Sequence, residues 1–333
     1  MEMVVFVLLF LLLLAVGISA AATAYFYRIA MTRRGASAAR TNKMSGTSWE
    51  QFGPFIREKR EVLRAAARED VYTASEDGLK LHAVWIPNGL QGRAVICCHG
   101  YTSTGMRDFE VVSEYFLRRG FSLLFPDARA HGESEGEYMG FGCLDRYDVR
   151  CWILWTTAHC RDTEILLYGH SLGAATVLMT GGLELPPEVK GIAADCPFTS
   201  AKDMFTQVLH TMYHLPAFPI LPLADAVNRR KAGYGLDDCR ADEEVRNIRI
   251  PLLLIHGDAD TFVPEEMSEQ IYRSSPPGTQ MLIVHGAGHA QSIYVDNEAY
   301  EAALDELLAR AFSHDTAREE TKTDESSCFS SPA

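Results

Sequence analysis

The sequence predicts an α/β domain built on a mostly parallel, eight-stranded sheet flanked by helices. Two observations carry this prediction. From about residue 70 onward, short apolar runs alternate with helix-length segments, the order of a parallel sheet with helical crossovers. Most of these runs are continuously apolar, as in strands covered on both faces. A third observation adds an N-terminal transmembrane helix: Met3–Tyr27 contains no charged residue.

That first segment, residues 1–27, is read as a transmembrane anchor. As a helix it is roughly 37 Å long, enough to cross a hydrocarbon core of about 30 Å. A cleavable signal peptide is the rival reading, and Ala20–Ala22 would suit cleavage. Such a peptide needs a basic start, whereas this one has Glu2 and no Lys or Arg before the apolar run. Arg28, Arg33, Arg34, Arg40 and Lys43 follow the span. Positive charge stays on the cytoplasmic side, so the body is expected in the cytoplasm. The eight cysteines form no C-x-x-C pair, in keeping with a reducing compartment. Net charge is −13 and no basic stripe extends beyond the juxtamembrane cluster, which argues against nucleic-acid binding.

Residues 28–69 read as a linker followed by a helix with apolar spacing through Phe55, Val62 and Leu63. The body spans 70–313. Its expected strands are "DVYTAS", "LKLHAVWIP", "RAVICC", "FSLLFP", "EILLYG", "VKGIAAD", "PLLLIHG" and "QMLIVHG". In the second, Leu79, Leu81, Ala83 and Trp85 share one parity, the pattern of a strand with one wet face. Helices are expected near Met106–Arg119, Asp145–Cys160, Leu172–Leu183, Pro264–Arg273 and Asn297–Phe312. Residues 199–250 contain no convincing strand and many apolar side chains. They are too long for an ordinary connection and read as a small helical lid. Residues 314–333 have little to bury and are expected to be disordered.

The segment "YGHSLGAA" fits G-x-S-x-G around Ser171. That pattern alone arises by chance in about one chain in ten of this length. Context gives it weight, because it lies between an expected strand and an expected helix, as a nucleophile elbow requires. Gly169 and Gly173 leave room for a tight turn, and Leu172 N–H opens the helix beside a developing oxyanion. A serine needs a base. "IHGDADTFVP" offers Asp258 and Asp260 at one strand end; "VHGAGHAQS" offers His285 and His289 at the next. His289 lies in a small-residue loop free to reach across the sheet edge, and His285 reads as structural. Asp195 is a third candidate acid, read first as a turn residue before Pro197. Tyr101 N–H, in "CCHGYTSTG", is the natural second oxyanion donor.

Taken together, "HGYTSTG", "PDARAHGESEG", "YGHSLGAA", "DCPFTS", "HGDADTFVP" and "GAGH" resemble the α/β-hydrolases of the serine aminopeptidase-like (hydrolase-4) group. The likeness is to the membrane-anchored bacterial and ABHD-type members. It spans about Val71 to Phe312. The resemblance implies the α/β-hydrolase fold, with Ser171 as nucleophile, His289 as base and Asp260, not Asp258, as acid. His131 then belongs to a structural turn near the pocket, His99 buttresses the oxyanion loop, and His170 points away from the nucleophile.

His210 and His214 in "HTMYH" have the i, i+4 spacing of zinc ligands but no third ligand nearby, and two lid histidines without metal are the better reading. No metal or organic cofactor is implied. The expected activity is cleavage of an ester, thioester or amide through an acyl-enzyme, on a small or lipid-like acyl substrate. An aminopeptidase-like amide hydrolase and a non-catalytic binding scaffold are the alternatives.

Overall fold

Eight strands form one sheet: β1 (Glu69–Ala74), β2 (Lys80–Ile86), β3 (Arg93–Cys98), β4 (Ser122–Pro126), β5 (Glu164–His170), β6 (Val189–Asp195), β7 (Leu252–Gly257) and β8 (Gln280–Val284). The computed structural model describes residues 2–35, 49–88, 92–160 and 163–312. Spatial order is β1-β2-β4-β3-β5-β6-β7-β8. The β1–β2 and β2–β4 pairs are antiparallel and every later pair is parallel. The order reverses between β3 and β5, and open α/β sheets bind ligands at the strand ends beside such a switch. This is the α/β-hydrolase fold, with the expected number and direction of strands.

The helices are α1 (Glu2–Met31), α2 (Gly53–Ala65), α3 (Gly105–Asp108), α4 (Val112–Arg118), α5 (Asp145–His159), α6 (Leu172–Gly181), α7 (Ala201–Met212), α8 (Ile220–Lys231), α9 (Ala241–Glu244), α10 (Glu265–Ser274), α11 (Ser292–Val295) and α12 (Asn297–Ala311). They divide between the sheet's two faces. One core contains Trp152, Leu178 and Leu254, with α5, α6 and the insertion above them. The other contains Phe116, Tyr168 and Tyr300, covered by α2, α4 and α12. Burial on both faces is why β3–β7 read as unbroken apolar runs.

Several expectations differ from the structure. The segment Met106–Arg119 is two short helices, α3 and α4, because its first turn is held toward the loop after β3. Asp108 there accepts Gly100 N–H at 2.8 Å. The outer face of the second strand is wet only at its start: Lys80 is exposed, whereas His82 is 5% exposed and Ile86 1%. His82 is accommodated because its ring nitrogens meet Asp127 at 2.8 Å and Asp70 at 3.1 Å. The residue 199–250 insertion is helical throughout its regular parts, as α7, α8 and α9.

The N-terminal helix continues to Met31, past the expected end of the anchor at 27. Its face through Thr23, Tyr27 and Met31 is buried, the i, i+4 stripe of a docked helix. Met139 N–H donates to Met31 O at 3.0 Å, and Arg33 N–H to Glu137 O at 2.9 Å. Linker residues 36–48 and the tail at 314–333 lie outside the described residues.

Candidate active site

Ser171 stands between β5 and α6 with φ +52° and ψ −112°, a conformation costly for a residue with a Cβ. The surrounding chain imposes it. Ser171 N–H donates to Asp195 O at 2.8 Å, and Ala175 N–H donates to Ser171 O at 3.0 Å. The turn is too tight for side chains on either flank. A Cβ on Gly169 would lie 2.2 Å from Gly173 O, and one on Gly173 would lie 1.8 Å from Cys98 O.

His289 reaches this serine from the loop after β8. Its Nε2 is 3.0 Å from Ser171 Oγ and its Nδ1 is 2.7 Å from Asp260 Oδ2. A carboxylate only accepts, so Nδ1 carries the proton and the Nε2 lone pair faces the hydroxyl. All three groups are buried: Ser171 is 7% exposed, Asp260 6% and His289 3%. Phe262 packs edge-on against the imidazole, with ring centres 5.0 Å apart.

Asp260 is the most fully engaged carboxylate of the site. Its Oδ1 accepts Phe262 N–H and Val263 N–H, each at 2.9 Å. Its Oδ2 faces His289 and, at 3.4 Å, His256 Nε2. Burial alone would raise its pKa, but the two imidazoles outweigh burial and hold it well below the usual carboxylate range.

The rival acids are engaged elsewhere. Asp258 pairs with the exposed His285 and accepts Gly286 N–H at 2.6 Å, so it shapes the turn between the β7 and β8 loops. Asp195 is buried on the other side of the elbow, accepting the Tyr300 hydroxyl at 2.9 Å. Its Oδ1 has no partner, and burial raises its carboxyl pKa.

Tyr101 and Leu172 lie beside the serine. Gly100 abuts it, since a Cβ there would be 3.5 Å from Ser171 Cβ, and Tyr101 follows. Leu172 is the first residue of α6, so its N–H has no intrahelical acceptor. The Tyr101 side chain extends away from the elbow. Its hydroxyl donates to Ile29 O at 3.0 Å and lies 3.2 Å from Ala30 O, and its ring packs on Phe141, which packs on Phe205 of α7.

The other histidines are placed by their bonds. His99 Nδ1 donates to Gly100 O at 2.7 Å and its Nε2 accepts Ala128 N–H at 3.1 Å, tying the β3 loop to the β4 loop. His131 accepts Thr102 N–H at 3.2 Å. His170 stacks on Phe109 and meets the Tyr168 hydroxyl at 3.0 Å, on the far side of the elbow. The i, i+4 spacing of His210 and His214 does not place them on one helical face: α7 ends at Met212, and His214 has φ +52°.

Two groups escaped sequence reasoning. His256, at the end of β7, is fully buried; its Nε2 donates to Val263 O at 2.9 Å and its Nδ1 meets Ser268 Oγ. It thereby fixes the loop that carries Asp260. The signal was present in "IHGDAD", where a polar residue ends an otherwise apolar run four positions before Asp260. Cys196 is the other: its thiol, Asp260 and His289 present ligand atoms within 4.8 Å of one another. Burial pushes that thiol well above its ordinary range, which opposes the thiolate a metal needs, and the other two groups are already bonded to each other.

Comparison with known proteins agrees with this architecture. The family model described as "Alpha/beta hydrolase family" matches residues 95–304, more than half of the chain. The uncharacterized protein YqkD of Bacillus subtilis (strain 168) is 26% identical over 215 residues, covering 64% of this chain and 70% of its own. ABHD12B of Homo sapiens is 32% identical over 161 residues, 46% of this chain and 41% of its own. Among solved structures, the Pyrococcus furiosus esterase Pf2001 superposes with a TM-score of 0.61 at 23% identity, covering 81% of this chain and 96% of its own. That last likeness is one of fold.

Proposed function

Because this chain belongs to the alpha/beta hydrolase family, we propose that it is a membrane-anchored serine hydrolase acting on esters of small or lipid-like acyl groups. The observation that carries this reading is the hydrogen-bonded chain Ser171–His289–Asp260, with 3.0 Å and 2.7 Å links. In this reading Ser171 Oγ attacks the substrate carbonyl while His289 Nε2 takes the hydroxyl proton. Asp260 keeps the imidazole in the reactive tautomer and stabilises the imidazolium. The oxyanion forms beside Tyr101 and Leu172 N–H, each donor being worth roughly 100- to 1000-fold in rate. The intermediate then collapses, and His289 gives its proton to the departing alcohol. Water repeats the sequence on the acyl-enzyme and frees the acid.

An apolar acyl group is favoured by the aromatic column Tyr101–Phe141–Phe205, with ring centres 5.7 Å and 4.8 Å apart. It is a packed contact, with Phe141 only 4% exposed, that ties the oxyanion loop to the apolar insertion, the part of the body best suited to meet an acyl chain. The anchor reading rests on α1, which is long and apolar enough to cross a bilayer. With Arg28, Arg33 and Arg34 after the span, the body lies on the cytoplasmic side.

The test is labelling with a fluorophosphonate probe, followed by a panel of p-nitrophenyl esters and aminoacyl amides. Wild type should be labelled and Ser171→Ala should not, with esters turned over faster than amides. Equal labelling of the two proteins refutes the serine mechanism, and turnover of amides alone refutes the ester assignment.

A further inference from the structure

The apolar surface of the chain does not end with α1. On the insertion, Met212, Tyr213, Phe218 and Leu223 are large, apolar and exposed, Phe218 by 77%. They occupy the turn from the end of α7 into the first residues of α8. This turn packs directly against the anchor helix. Ala22 and Phe26 of α1 meet Leu209, Leu215, Ile220 and Leu221, and the Phe26 ring lies 4.6 Å from that of Tyr213.

The depth of this contact follows from helix geometry. Of the charge-free stretch Met3–Tyr27, the body packs on α1 from Ala22 onward, and residues 3–21 before that contact span about 28 Å, close to the hydrocarbon thickness. Ala22 therefore stands at the hydrocarbon boundary and Phe26 about 6 Å further out, at headgroup depth. Tyr25, Phe26 and Tyr213 cluster there, as aromatic side chains do at membrane interfaces.

Ile220 and Leu221 lie beside Ala22 and Phe26, whereas Asn228 and Lys231 lie beside Tyr27. The apolar start of α8 thus faces the bilayer, and its basic end, Arg229–Lys231, lies toward water. This gradient matches the direction that α1 imposes.

We infer that the α7–α8 turn, Met212–Leu223, is seated in the interfacial layer of a phospholipid bilayer, so that substrate reaches Ser171 from the membrane. The inference rests on the reading of α1 as an anchor and of Ser171 as the nucleophile. It names the bilayer as the source of the acyl substrate.

The experiment uses the full chain reconstituted in phosphatidylcholine vesicles. Flotation after an alkaline carbonate wash reads the anchor alone, and wild-type turnover of p-nitrophenyl acetate reads the hydrolase alone. With both in place, Phe218→Asp/Leu223→Asp is compared with wild type on that soluble ester and on a long-chain umbelliferyl ester confined to the vesicles. Hydrolysis of the vesicle-borne ester should fall at least about tenfold. Soluble-ester turnover should stay within about twofold of wild type. Independently of activity, the indole fluorescence added by Phe218→Trp should be quenched by brominated phosphatidylcholine. Equal loss on both esters, loss on neither, or added fluorescence that escapes quenching overturns the inference. So does conversion of a wild-type oligomer to a monomer by the aspartates, which would make the turn a contact between copies of the chain.

Discussion

The Tyr101 hydroxyl donates to Ile29 O at 3.0 Å, joining the loop after β3 to the last turn of α1. The final carbonyls of a helix lack intrahelical donors, so this tyrosine caps the helix while its own backbone borders Ser171. Tyr101→Phe removes the hydroxyl and keeps the ring. A hydrogen bond of this kind is worth about 1 kcal/mol, so kcat should fall by roughly five- to tenfold with KM little changed. Steady-state kinetics on a soluble ester measures this. An unchanged kcat would mean that the side chain does not position the loop.

Asp260 and Asp195 are separated by a single experiment. Asp260→Asn should lower kcat by about three to four orders of magnitude, because the amide no longer fixes the Nδ1–H tautomer. Asp195→Asn should cost less than about tenfold, since its carboxylate bonds Tyr300 and not His289. If Asp195→Asn proved the more damaging, the acid assignment would be wrong. Ser171→Ala and His289→Ala should each remove turnover by about 10⁶-fold.

His256 acts through Asp260 and its loop. In His256→Gln the 3.4 Å approach to Asp260 Oδ2 and the 2.9 Å bond to Val263 O are lost or lengthened. Hydrogen bonds to charged groups contribute about 1.5–3 kcal/mol, so kcat should drop by roughly 10- to 100-fold. The variant should still react with fluorophosphonate, only more slowly. A normal rate in a folded variant would reduce His256 to packing.

Stability should depend on pH through Asp260. Its folded pKa is depressed, whereas the unfolded value is about 3.9. The unfolded state then binds more protons in this window. The stabilisation is complete above the unfolded value and is lost as pH falls toward the folded one. Urea denaturation of wild type and Asp260→Asn at about pH 7 and about pH 3.5 tests this. Wild type should lose more stability than the variant on acidification, and equal losses would contradict the depressed carboxyl.

Much of the fold was legible because burial leaves a trace in composition. Strands β3 to β7 lie under helices on both faces and read as unbroken apolar runs. The elbow was legible because its turn forbids side chains at Gly169 and Gly173. Where a polar residue is buried against a distant partner, the trace disappears. His82 reads as a wet-face residue, yet it is enclosed by Asp70 and Asp127. His256 reads as the edge of a strand, yet it braces Asp260. The break between α3 and α4 likewise depends on Asp108 turning toward Gly100, a contact across a loop.

By itself the sequence determined the apolar N-terminal helix, the parallel sheet and the strand ends that carry Ser171, Asp260 and His289. These are properties of short segments, fixed by hydrophobic period and by local backbone demands. Tertiary structure decided which acid meets His289, because Asp258 and Asp260 lie in one loop and only the fold of that loop turns one inward and the other toward exposed His285. It also decided that α1 continues to Met31 and docks on Tyr101 and the insertion. That contact joins residues far apart in the chain, and no local pattern encodes it.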